Sequence, residues 1–136
     1  MTGRQRIEKK LLDPKALREA FLNAINHNDW TQTIPPAIYL FSDRIEIISQ
    51  GGLPEGQTEE DFFFGVSRPR NKELMYIMRH FDFAEETGHG VPDIINAYGK
   101  EVFKFSQNYI NVTLPYDKEV MQTRIIRNEE RKISQL

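Results

Sequence analysis

At 136 residues, 39% apolar and 28% charged, the chain has the length of about one domain and the composition of an ordinary globular protein, which excludes a disordered linker. Eighteen basic against twenty acidic residues leave a net charge of −2, so no overall field draws it onto nucleic acid or an anionic membrane, and any polyanion must be gripped locally. The absence of cysteine excludes disulfides and thiolate metal sites, and no apolar run approaches the ~20 residues of a membrane span or forms a secretory signal, so a cytoplasmic location with no membrane contact is the expectation.

Residues 1–12 carry Arg4, Arg6, Lys9 and Lys10 on a polar background and read as a basic arm or the cut end of a longer protein. Asp13 is placed to cap a helix that Pro14 starts, since a carboxylate accepts from first-turn amides and proline lacks the amide that would go unpaired. Leu17, Phe21, Ala24 and Ile25 recur at helical spacing as its apolar stripe. After the turn "TQTIPP", the β-branched and aromatic segments "AIYLF" and "RIEIIS" predict a hairpin closed at Ser42 and Asp43. The break "QGGLPEG" follows, and Thr58 with Asp61 three residues on predicts a capping box for a short helix through "EEDFF". Past "GVSRPR", Asn71 is the expected N-cap of a helix in which Leu74, Ile77, Met78 and Phe81 keep the period and His80 favours the dipole at its end. "TGHGVP" is a third glycine break and opens the helix "DIINAY". "VFKFS" and "YINVTLPY" predict a second hairpin around Gln107 and Asn108, with Ile110, Val112 and Leu114 on one face.

Segregated hairpins and helices predict an α+β two-layer sandwich, with all helices on one face of a four-stranded, mostly antiparallel sheet. Residues 13–116 would form this domain, and residues 117–136 read as a frayed helix or a linker.

The chemistry concentrates on the first helix. Glu19, Asn23 and His27 recur at intervals of four, so they look to one side of it. Glu19 could orient a water, Asn23 could offer a neutral oxygen to a hard cation, and His27 could donate to an anion. A glutamate with a reference pKa of about 4.3 is a feeble base at neutral pH, so Glu19 needs burial or a role limited to positioning. The bland alternative is a solvated helix face. "SQGGLP" follows a strand and "TGHGVPDII" opens a helix, whose free amides make a natural anion cradle; each break alone is more often a turn than a phosphate site. A metal site from His27, Asp29 and His89 lacks the local spacing of a dedicated ligand pair. Trp30 and the aromatics of "DFFF" read as core or as a contact with a neighbouring domain.

In order, "E-x-x-x-N-x-x-x-H", a strand followed by Gly51 and Gly52, and Gly88-x-Gly90-Val91 ahead of a helix resemble the three-box signature of the GHKL ATPases. More narrowly, "ALREAFLNAINHNDW", "DRIEIISQGGLPEGQTEEDF", "SRPRN" and "ETGHGVPDII" are similar to the compact histidine-kinase-like ATPase domain of bacterial transcriptional regulators and relatives of a recombination helicase. The resemblance implies a Bergerat-like ATPase fold binding ATP and Mg2+. Asn23 would hold the magnesium that bridges the phosphates, Glu19 would hold the attacking water, and Gly88, His89 and Gly90 would close over the phosphates. His27, Asp29, Gly51, Gly52 and Arg70 complete the candidate nucleotide contacts. The superfamily's adenine-binding Asp is replaced here by Ser49 and Gln50; losing a hydrogen bond to a charged acceptor costs roughly 1.5 to 3 kcal/mol, about ten to a hundredfold in affinity.

The resulting expectation is a nucleotide-binding domain of a bacterial transcriptional regulator, with binding favoured over turnover. DNA would be contacted only by domains outside this chain, by resemblance a Schlafen-type domain before it and a winged helix after it. The rival, of a different class, is a scaffold for dimerisation or ligand sensing that binds no nucleotide. Homodimer formation is open under either.

Overall fold

Asp13 caps the first helix from the expected position: its Oδ1 accepts the amide of Ala16 at 2.9 Å, and helix α1 runs over Pro14–His27. The computed structural model describes residues 9–66, 68, 70–81 and 90–134. A 3-10 turn at Trp30–Gln32 leads to strands β1 (Ala37–Leu40) and β2 (Arg44–Gln50). Helices α2 (Glu59–Phe64), α3 (Lys72–His80) and α4 (Gly90–Tyr98) follow, then a 3-10 turn at Lys100–Val102. Strands β3 (Phe103–Phe105) and β4 (Tyr109–Pro115) and helix α5 (Lys118–Ser134) complete the described chain.

The sheet order is β1-β2-β4-β3 and every neighbouring pair is antiparallel. The two hairpins therefore join through β2 and β4, in a register that sets Ile45 opposite Leu114, Ile47 opposite Val112 and Ser49 opposite Ile110. Side chains alternate between faces of a strand, so these residues share one face. Ile47, Ile110, Val112 and Leu114 on it are buried, in one cluster with Ala16, Ala20 and Ala24 of α1 and Val91 and Ile94 of α4. This is the expected two-layer α+β sandwich. The three alanines matter because small side chains let the two helix axes come close. Lys15 Nζ to Asp93 Oδ2 at 3.5 Å and the Asp13 amide donating to the Tyr98 hydroxyl at 2.8 Å tie the same pair of helices together.

Thr58 and Asp61 form the reciprocal capping box that starts α2. Its aromatics divide: Phe62 is buried with its ring edge-on to Phe103 and Phe105 at 5.3 and 5.2 Å between centroids, whereas Phe64 is exposed. Trp30 is also exposed, with its indole Nε1 donating to the Ile25 carbonyl at 3.1 Å.

Asn71 occupies the N-cap position of α3, but its side chain caps nothing there; it donates instead to the carbonyls of Ile25, Asn26 and Asn28. Those carbonyls lie at and just past the end of α1, where a helix has no partners of its own to offer. The tail from Asp117, expected as a frayed helix or a linker, is helical over its described length. Asp117 Oδ1 accepts the amide of Val120 at 3.0 Å, and α5 continues for 17 residues with none of them buried. Among the described residues no helix is long and apolar enough to cross a membrane.

Candidate nucleotide site

Residues four apart on a helix are not eclipsed but step round its axis by about 40°. Over Glu19, Asn23 and His27 that drift carries the last member off the polar flank and into the buried stripe of Ala16, Ala20 and Ala24. His27 is only 6% exposed. Its ring stands edge-on to Phe62 at 6.0 Å, and its Nδ1 has no hydrogen-bond partner among the described residues. Burial, helped by the charge of Arg70, pushes its pKa down to about 4. The imidazole is therefore neutral at pH 7, with its ring against Phe62.

Glu19 and Asn23 stay half-buried at the margin of the stripe. Glu19 meets the start of α4: a methyl group placed on Gly90 would lie 2.8 Å from its Oε2. One helical turn past Asn23 towards the C-terminus, Asn26 is buried and its Nδ2 donates to the Met78 sulfur at 3.2 Å. Asn23 thus lies on α1 between a residue in contact with the first residue of α4 and a residue in contact with α3. The first sequence box and the last glycine of the third are neighbours in space although 71 positions separate Glu19 from Gly90. Gly88 and His89 lie outside the described residues.

The first glycine break is built differently. Gly51 adopts a φ of +84°, in the region that disfavours side chains, and its amide donates to the Asn108 carbonyl at 2.7 Å. The Gly52 amide donates to Gln107 O at 3.2 Å, and a methyl group on Gly52 would meet the Ser106 carbonyl oxygen at 2.5 Å. Both amides are committed to the turn between β3 and β4. Arg70 covers the same glycines, with its Nη2 donating to Gly52 O at 2.6 Å. It would lie 3.0 Å from a methyl group on Gly51. In this arrangement neither glycine presents its amide to an anion. The pair lets the β2 end, the β3–β4 turn and the arginine approach closely.

Asp29 is similarly engaged. Its Oδ1 accepts from the Thr31 amide and hydroxyl at 3.1 and 2.6 Å, and Gln32 Nε2 reaches its Oδ2 at 3.3 Å. These bonds, led by that of the Thr31 hydroxyl, hold its carboxyl below the usual carboxylate range. Among the described residues no group of three His, Asp or Glu side chains stands close enough to hold a metal. A magnesium ion that bridges phosphates needs few protein ligands, so the neutral oxygen of Asn23 with the Glu19 carboxylate nearby is a donor set of suitable chemistry.

Sequence reasoning missed Asn28 and what the Asn71 side chain does. Asn28 is fully buried; its Oδ1 accepts the Gln50 amide at 2.7 Å and its Nδ2 donates to the Ile34 carbonyl at 2.9 Å. With the Asp29 amide donating to Gln50 O at 2.9 Å, it welds the end of α1 to the end of β2. Asn71 closes the same junction from the other side. The available signal was the polar run "NHND" where a helix more often ends on glycine.

The family model described as "Putative ATP-dependent DNA helicase recG C-terminal" matches residues 34–114, more than half of the chain. The chain belongs to that family. The match agrees with the resemblance to a GHKL-type ATPase domain and places this recG C-terminal-type domain among ATPase-like domains, while the motif that holds Glu19, Asn23 and His27 precedes the matched residues. No curated protein matches it. The crystal structure of the DIP2311 protein from Corynebacterium diphtheriae superposes with a TM-score of 0.65 at 22% identity, over 78% of this chain. That likeness shows the shared fold. The recG C-terminal-type domain spans 24% of the length of that protein.

Proposed function

We propose that this domain binds a nucleoside triphosphate by its phosphates and their bridging magnesium, on the wall where Glu19 and Asn23 face the start of α4. The observation that carries this is the approach of Glu19 Oε2 to Gly90, which brings the carboxylate to the first described residue of helix α4, with Asn23 one helical turn further along α1. Asn23 would be the protein ligand to the metal. Glu19 would position the attacking water in any turnover. Because the turn at Gly51 and Gly52 is packed against protein, recognition falls on the phosphates and the base contributes little. The wider setting is a bacterial, cytoplasmic transcriptional regulator whose DNA contacts belong to other domains.

A second reading is favoured by one specific observation. The Gly51 and Gly52 amides are satisfied internally and Arg70 sits on them, as in a scaffold that has kept the fold without the ligand.

Thermal denaturation with and without Mg-ATP, on the wild type and Asn23→Ala, separates the two. A ligand at a hundred times its Kd stabilises by about 2.7 kcal/mol, so the wild type shifts and the variant does not. Mg-GTP and magnesium tripolyphosphate should act much as Mg-ATP does. A folded wild type that ignores millimolar Mg-nucleotide establishes the scaffold instead.

A further inference from the structure

The edge of the sheet at β1 is open, apolar and uncharged. The Phe41 amide donates to Arg44 O at 2.9 Å, which sets the phase of the hairpin: residues 37, 39 and 41 bond inward to β2, while the amides and carbonyls of Ile38 and Leu40 point to the free edge. Their side chains are open too, Ile38 at 42% and Leu40 at 74% exposure. Helix α1 packs mainly over β2, so among the described residues this part of the sheet's inner face is left largely open. Tyr39 and Phe41 are also exposed. Soluble proteins usually blunt such an edge by keeping the strand very short, as the four residues of β1 are, or with a lysine, a proline or a bulge inside the strand. β1 has no lysine, proline or bulge.

We propose that β1 pairs with β1 of a second copy of this chain, antiparallel about a two-fold axis at Tyr39, joining two four-stranded sheets into one of eight strands. The outward groups are self-complementary in that register. Ile38 faces Leu40 of the partner and Leu40 faces its Ile38, each as a fully hydrogen-bonded pair, while the two Tyr39 residues form the intervening pair without bonds. Charge also admits a second copy. From Ile34 to Ser42 no side chain is charged, so the strand meets no like charge when placed against itself. The next charges, Asp43 and Arg44, pair with each other at 2.8 Å, and the Arg44 guanidinium lies 4.0 Å from the Phe41 ring centre. In this register Asp43 and Arg44 lie opposite Pro35 and Ile34 of the partner. The contact is short, so the dimer is weak and concentration-dependent.

Sedimentation of the full chain from micromolar to near-millimolar concentration should show a monomer–dimer equilibrium. Leu40→Glu puts like charges into the pairing and should weaken it about tenfold or more. Leu40→Pro removes one outward amide while leaving every bond to β2 in place, and should do the same. Both variants should keep the wild-type melting temperature when measured at dilution, because Leu40 is mostly exposed. The register has its own readout in a chain without cysteine. Tyr39→Cys, at the axis, should form an intermolecular disulfide on mild oxidation, and Gln122→Cys on α5 should not. A wild type that stays monomeric overturns the proposal and leaves the edge to a strand from another protein. So does a dimer that survives both Leu40 substitutions, or one in which the two cysteine variants cross-link alike.

Discussion

The side-chain amide of Asn71 reaches the backbone carbonyl of Asn28 at 3.0 Å, so the residue that opens α3 also closes α1. The same amide lies 3.1 Å from Asn26 O and 3.4 Å from Ile25 O, and the Asn71 backbone amide donates to Asn26 O. Asn71→Ala removes the side-chain donor that these carbonyls share and leaves the Asn28 carbonyl without its side-chain partner, and should cost roughly 1 to 3 kcal/mol in urea denaturation. Asn71→Asp, which keeps the shape but loses the amide donor, should be as harmful. A near-neutral Asn71→Asp would mean that packing, not hydrogen bonding, holds the junction.

The two adjacent glycines should respond differently to alanine. At Gly52 the added methyl meets two backbone carbonyls, Ser106 O at 2.5 Å and Gln107 O at 2.8 Å. The β3–β4 turn must move, at a cost of roughly 1 to 3 kcal/mol. At Gly51 the strain combines the φ of +84°, worth about 1 to 2 kcal/mol, with a contact to the Asp29 Cβ at 3.1 Å, while the crowding Arg70 side chain can swing aside. Gly52→Ala should therefore speed amide exchange at Gly52 more than Gly51→Ala does. Equal exchange in both variants would refute the close-approach account.

Acid should act through His27. Its folded pKa is about 4 against an ordinary 6.5, so between those values the unfolded chain holds a proton that the native state does not. Stability is then unaffected above pH 6.5, falls as the pH drops from 6.5 towards 4, and loses roughly 3 kcal/mol in all by this route. Carboxylates titrate in part of the same window, so the difference between wild type and His27→Leu is the quantity to follow. That difference should change across pH 4 to 6.5 and stay level above it.

Ala20 tests the link between packing and the site. It is fully buried on α1, in the cluster shared with α4. Ala20→Leu should push the helices apart, cost roughly 1 to 3 kcal/mol, and diminish the stabilisation by Mg-ATP along with the Glu19–Gly90 approach. Ala20→Gly should cost about 1 kcal/mol in helix propensity while preserving the spacing, and so retain the ligand response. Loss of the response in Ala20→Gly as well would dissociate helix spacing from ligand binding.

The sequence by itself determined the elements and their order. Asp13 with Pro14, Thr58 with Asp61, and the alternation of Ile110, Val112 and Leu114 are signals contained within a few residues, and the helices and strands they predict are all present. It also carried the resemblance that the family match bears out. What only the tertiary structure decided is where the polar groups go. His27 belongs to the core because a four-residue repeat drifts round a helix whose buried side is set by α4 and the sheet. Gly52 is small because a carbonyl 54 residues away in the chain, that of Ser106, comes up against it. Asn71 serves α1 because that helix ends beside it. Periodicity and capping act over one or two turns of chain, whereas the partner of a buried amide or carbonyl is fixed only when distant segments meet.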